Sequence, residues 1–163
     1  MSELSSYKIK LALIGPDSLK KQAVSNYNEK TLGLKQHIKR LELDNGTNVF
    51  LTIWNTSNLE KFKKSSQSFK KGSAGLVQLL DEESINAIDN SLSELDNCGN
   101  LSVLFYFTGS VSDKNKELID SKIKQYKERG ANIMLAYESF DSFEPVIKQF
   151  VDSILAQYKR RII

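Results

Sequence analysis

The chain has 163 residues, 40% of them apolar and 26% charged, with a formal net charge of +3. That length and apolar content suit one domain with a sizeable core and exclude two ordinary domains. The small basic excess argues against a nucleic-acid partner, and the single cysteine, Cys98, excludes an internal disulfide and fits a reducing intracellular setting.

Tyr7 to Ile14 alternates and then turns apolar, which predicts a buried strand. Asp17 or Ser18 can cap a helix from Leu19 to about Asn28. Lys35 to Leu43 and Asn48 to Trp54 read as strands joined through Asn45-Gly46, a hairpin signal because both residues tolerate positive φ. The basic stretch from Lys61 to Lys71, broken by Phe62 and Phe69, reads as a solvated face. Ser73 to Leu80 predicts a buried strand. Glu83 to Leu95 predicts an amphipathic helix with Ile85, Ile88, Leu92 and Leu95 on one stripe. Leu101 to Phe107 is the most apolar run and reads as a central strand. Asp113 to Arg129 is helical and ends at Gly130. Ile133 to Tyr137 is the last strand, and Phe143 to Tyr158 the last helix, with Pro145 in its first turn. The order β-α-β-β-β-α-β-α-β-α predicts an α/β fold. It has a mostly parallel six-stranded sheet, one antiparallel edge strand and helices on both faces.

The stretch GPDSLKKQ, residues 15 to 22, follows the first strand. The pattern that cradles phosphates after a strand is G-x-x-x-x-G-K-[ST]. Gly15 and Lys21 stand at its first and seventh positions. Lys20 takes the place of the second glycine and Gln22 that of the hydroxyl.

With these stretches in order, the chain resembles the Ras superfamily of small GTPases, and within it the Rab proteins, over nearly its whole length. Thr31-Leu32-Gly33-Leu34 is similar to the family's first switch, and Leu41 to Asp44 with Thr52 to Thr56 to its interswitch hairpin and Trp-Asp-Thr. Glu60-Lys61-Phe62 resembles Glu-Arg-Phe. Phe69 to Gly75 resembles Tyr-Tyr-Arg-Gly-Ala-x-Gly, and Asp81 to Ser84 the Asp-x-Thr-x-x-x-Ser region. The resemblance implies a single domain over residues 1–163, taken as a monomer or as one half of a tandem protein.

The departures fall where the resemblance places nucleotide chemistry. Lys20 stands where glycine lets the backbone approach phosphates, and a positive φ there would add roughly 1–2 kcal/mol of strain. Gln22 replaces the hydroxyl that binds Mg²⁺, and Asn55 the aspartate that holds the metal's waters. Asn58 replaces the glycine at the γ-phosphate, and Leu59 the glutamine that orients the attacking water. Phe107 to Ser110 falls on the base-reading Asn-Lys-x-Asp, and Ala136-Tyr137-Glu138 on the closing Ser-Ala-Lys. Of the nucleotide shell, Gly15, Lys21 and Thr31 match. Only ten positions separate Lys21 from Thr31. A typical Rab has about nine more, about 13 Å of helix, so the first helix or the loop after it is shortened.

The resemblance therefore implies a pseudo-GTPase: a Rab-like fold with GTP and Mg²⁺ binding lost or badly weakened, serving as a protein-interaction module in vesicle trafficking. On that reading no cofactor is expected, no residue is catalytic and none binds a metal. Vestigial nucleotide contacts rest on Gly15, Lys20, Lys21, Gln22 and Thr31. The partner-binding face is the switch and interswitch surface, through Trp54 and Phe69, with Gln36 at a third aromatic position of the family. Two other readings stay open: an atypical GTPase with weak GTP or GDP and Mg²⁺ binding and slow hydrolysis, and a constitutive scaffold subunit of a larger complex. At single residues there are plainer readings too. Lys21 is a phosphate ligand or a solvent-facing lysine. Trp54 and Phe69 are partner anchors or packing in a rearranged switch region. His37 is expected at the surface, and Cys98 as a plain thiol. MSELSSYK lacks a signal peptide's apolar stretch and KRRII offers no cysteine to prenylate. The expectation is a cytoplasmic chain with no direct membrane anchor, recruited to membranes through a partner.

Overall fold

The computed structural model describes residues 6–25, 28–32, 34–44, 46–55, 73–82, 84–89, 92 and 102–162. Seven strands form one sheet in the order β2-β3-β4-β1-β5-β6-β7. They are β1 (Ser6–Ile14), β2 (Asn28–Leu32), β3 (Leu34–Glu42), β4 (Asn48–Asn55), β5 (Ser73–Leu80), β6 (Ser102–Phe107) and β7 (Ile133–Tyr137). From β4 through β1, β5 and β6 to β7 all pairs are parallel, whereas β3 runs antiparallel to β4. The helices are α1 (Asp17–Ala23), α2 (Asp113–Glu128) and α3 (Phe143–Ile162).

The expected mixed sheet with helices on both faces is present. One strand is added to it. Residues 28–32 pair antiparallel with β3, so β3 lies one place in from the edge and β2 forms the edge. The first helix departs with it. It spans Asp17–Ala23 rather than Leu19 to Asn28, so it starts earlier and stops sooner. The N-cap position falls on neither Asp17 nor Ser18. Pro16 is the N-cap residue, and it makes no side-chain cap hydrogen bond. Pro16 suits that place because its missing N–H leaves no donor to satisfy.

Strand alternation decides the layers. Ile9, Leu11 and Leu13 of β1 join Val49, Leu51, Ile53, Val77, Leu79, Leu104 and Tyr106 beneath α1 and α3. Ala12, Leu76, Leu80, Val103, Phe105 and Phe107 face the other way, toward Ile119 and Ile123 of α2. On that side Ile85, Ile88 and Leu92 are buried as the apolar stripe requires, but Ile85–Ala87 is a 3-10 turn rather than a regular helical start. Leu95 lies outside the described residues.

Gly75 in β5 shows how closely α3 seats on the sheet. A Cβ there would stand 2.7 Å from Leu11 Cδ2 and 3.0 Å from Ile154 Cδ1. At the β3–β4 hairpin Gly46 has φ 82°, and its N–H donates to the Leu43 carbonyl at 2.9 Å.

Candidate functional site

In open α/β sheets ligands sit beyond the carboxyl ends of the strands. Here that edge gathers the β1–α1 turn, the segment after β5, the β6–α2 loop and the β7–α3 loop.

At the β1–α1 turn, residues 17–22 of the phosphate pattern lie in a helix. Gly15 has φ 149°, and a Cβ on it would stand 2.8 Å from the Leu79 carbonyl oxygen and 2.9 Å from Leu79 Cβ. Glycine is therefore required by the approach of β5. The next residues wind directly into α1: the Lys20 N–H donates to the Pro16 carbonyl at 3.0 Å, and the Val24 N–H to the Lys20 carbonyl at 3.2 Å. Lys20 is buried at 3% exposure and has no positive φ, so the strain expected for that case does not arise. Lys21 is exposed. Gln22 is exposed too, and its amide Nε2 donates to the Ser18 carbonyl, at 3.4 Å, one turn back on its own helix.

Thr31 is far from this turn. It lies in β2, opposite Lys35. Three strand spacings separate β2 from β1, roughly 14 Å across the sheet. Asn55 ends β4 opposite Leu13 and Lys35, and Trp54 stands opposite Ala12 and Gln36. Asn58, Leu59 and Phe69 lie outside the described residues, as does Cys98. His37, expected at the surface, is buried at 5% exposure in β3, opposite Ile53. Among the described residues no His, Cys, Asp and Glu group could hold a metal ion.

The end where the resemblance places base reading is built from the chain's own aromatics. Phe107 is fully buried, and its ring stacks on Tyr137 with centroids 5.0 Å apart. The Lys116 ammonium lies 4.9 Å from the Tyr137 ring centroid. Burial, reinforced by the Asp120 charge, pushes the Tyr137 hydroxyl's pKa up. Ser110 is exposed beside Gly109, whose φ is 82°. Tyr106 donates its hydroxyl to the Ser139 carbonyl at 2.5 Å and stacks on Phe140 at 5.7 Å, with Phe143 edge-on at 5.3 Å. Burial pushes the Tyr106 hydroxyl up to about 12, and the charges of Glu138 and Asp141 act in the same direction.

Glu82, which the sequence reading passed over, ties two of these segments together. Its carboxylate accepts from the Ser112 N–H at 3.2 Å and from Asn115 Nδ2 at 2.9 Å. These bonds, the Ser112 backbone bond first, hold its pKa below the usual carboxylate value. Asp81 and Ser84 close a reciprocal turn, with the Ser84 N–H on Asp81 Oδ1 at 2.9 Å and the Asp81 N–H on Ser84 Oγ at 3.0 Å. A separate groove of about 380 Å³ is lined by Leu43, Asp44 and α3 residues including Glu144 and Lys148, none of them from the four segments above.

This sheet order and these segments define a small-GTPase-like domain, and a model of the Ras family matches residues 18–139. The chain belongs to the Ras family. Within it the chain is similar to Rab proteins. It is 29% identical to the GTP-binding protein YPT1 of Saccharomyces cerevisiae over 87% of this chain and 75% of that one. It is 30% identical to the Ras-related protein RABD1 of Arabidopsis thaliana, over 76% of this chain and 63% of the relative. With the Ras-related protein Rab-1C of Dictyostelium discoideum the identity is 35%, over 57% of this chain and 48% of that protein.

Proposed function

We propose that this chain is a Rab-like pseudo-GTPase, which has lost or severely weakened GTP and Mg²⁺ binding and serves as a protein-interaction module in vesicle trafficking. The observation that carries the reading is the helix at residues 17–23. A phosphate cradle needs backbone N–H groups turned inward along a loop. Pro16 has no N–H, and that of Lys20 is spent on the Pro16 carbonyl. The remaining groups fit no better. Gln22 is bonded back to its own helix, and Thr31 is paired in an edge strand. Phe107 and Tyr137 stack together where the resemblance puts base-reading residues. The family match also begins at residue 18, past Gly15.

On this reading the domain holds one conformation without ligand. The switch and interswitch face, with Trp54, Phe69 and Gln36, then meets its protein partner constitutively. The chain works in the cytoplasm and reaches membranes through that partner; no described helix is long and apolar enough to cross one. The test is the guanine nucleotide released on denaturing freshly purified protein. The expected amount is far below one equivalent. A stoichiometric yield of GDP or GTP would establish instead the atypical GTPase that binds nucleotide.

A further inference from the structure

The face of β1, β4 and β3 turned away from α1 and α3 carries a second feature. In register across the three strands stand Lys8, Phe50 and Arg40, and one row further Lys10, Thr52 and Ile38. Lys8, Lys10 and Arg40 are exposed, and Phe50 is 41% exposed, one of two large apolar side chains so exposed among the described residues. None of the three cations forms an ion pair among the described residues. The described apolar residues that pack on this side of the sheet, Ile85, Ile88, Leu92, Ile119 and Ile123, cluster with β5, β6 and β7 and with Ala12 of β1. The row below, Ser6, Asn48 and Glu42, sets an acidic border at Glu42.

We propose that this Lys8–Phe50–Arg40 row is a docking site for an acidic protein segment whose carboxylates flank one apolar side chain. The inference rests on the reading that this face works through protein contacts, and it adds the partner's chemistry. Two strand spacings set Lys8 and Arg40 roughly 10 Å apart with Phe50 between them, and two residues along β1 set Lys10 roughly 7 Å from Lys8. The pattern is fixed by the ladder, so little order is lost in presenting it. An apolar side chain over Phe50 removes apolar surface from water, and carboxylates on either side meet the cations. A lipid surface fits less well. More than half of Phe50 is already packed, so it does not stand out far enough to enter the acyl boundary as an interfacial anchor does.

The test is selection of random peptides displayed on phage against the whole chain, with counter-selection on a Lys8→Glu/Arg40→Glu double variant. Exposed positions make these variants foldable, and thermal unfolding checks that they are. The expected winners carry Asp or Glu on both sides of an aromatic or aliphatic residue. In fluorescence anisotropy a winning peptide weakens about tenfold with Lys8→Glu, with Arg40→Glu and with Phe50→Ser, and weakens further as salt rises. Winners without acidic residues, or no enrichment over the charge-reversed protein, would overturn the proposal. So would capture by phosphatidylserine vesicles through the same residues with no peptide binding, or self-association that Phe50→Ser abolishes. If winners depend on Trp54 and ignore Lys8 and Arg40, the docking chemistry falls and the protein-interaction reading stands. If they bind only with Mg·GTP present, that broader reading falls.

Discussion

Gly15 illustrates how one residue type can satisfy two different demands. In the sequence it begins a phosphate pattern; in the fold it lies against Leu79, whose carbonyl oxygen would stand 2.8 Å from a Cβ at this position. Gly15→Ala should therefore lower stability by about 2 kcal/mol or more, through the positive φ and the clash together. Denaturant unfolding would measure it, and the loss should be the same with or without GDP. Tyr106 makes a second residue-scale prediction. Its hydroxyl is raised from 10.0 to about 12 in the fold. Between those values the unfolded chain gives up the proton while the native chain keeps it. The stability this group contributes is thus complete below pH 10 and is lost as pH rises toward about 12. Tyr106→Phe should flatten the alkaline fall in stability over that window, as read from urea unfolding at each pH.

At the scale of elements, α1 separates the letters of a motif from its geometry. Restoring the letters with Lys20→Gly and Gln22→Ser would complete the spacing G-x-x-x-x-G-K-S. In a loop that change would help a phosphate. In a helix the glycine costs about 1 kcal/mol, and removal of a buried Lys20 side chain adds to it. The double variant should melt at a lower temperature and still retain no nucleotide through purification; calorimetry and nucleotide extraction would read the two effects. The element also marks the limit of what the sequence discloses. The apolar runs of β5 and β6 are legible because burial on both faces demands them. The hairpin is legible through Gly46, and the α2 stop through Gly130, whose φ is 91°. The shortening between Lys21 and Thr31 is legible as a spacing. What replaces it is not, because Asn28 to Leu32 carries no strong strand propensity. Its conformation comes from the ladder with β3. Glu82 was missed for a related reason: its partners, Ser112 and Asn115, lie about thirty residues away and meet it only in the fold. His37 was misplaced because alternation along β3 had no visible anchor at a lone polar residue.

At the scale of the molecule, internal contacts tie together segments at the sheet edge that holds ligands in such folds. Tyr106 is bonded to Ser139, Phe107 is stacked on Tyr137, and Glu82 is bonded at the start of α2. A domain built to release and rebind a nucleotide relies on that ligand for part of its stability, by mass action. On the proposed pseudo-GTPase reading, this domain gains no stability from nucleotide. On the same reading recognition falls to a fixed surface that includes β4, the strand of Phe50 and Trp54. The most direct measurement is isothermal titration of the freshly purified chain with GDP in the presence of Mg²⁺. The account predicts no saturable heat, with any affinity weaker than micromolar, and the same outcome after EDTA treatment. A one-to-one isotherm with a sub-micromolar Kd would contradict it and return the chain to the nucleotide-binding members of its family.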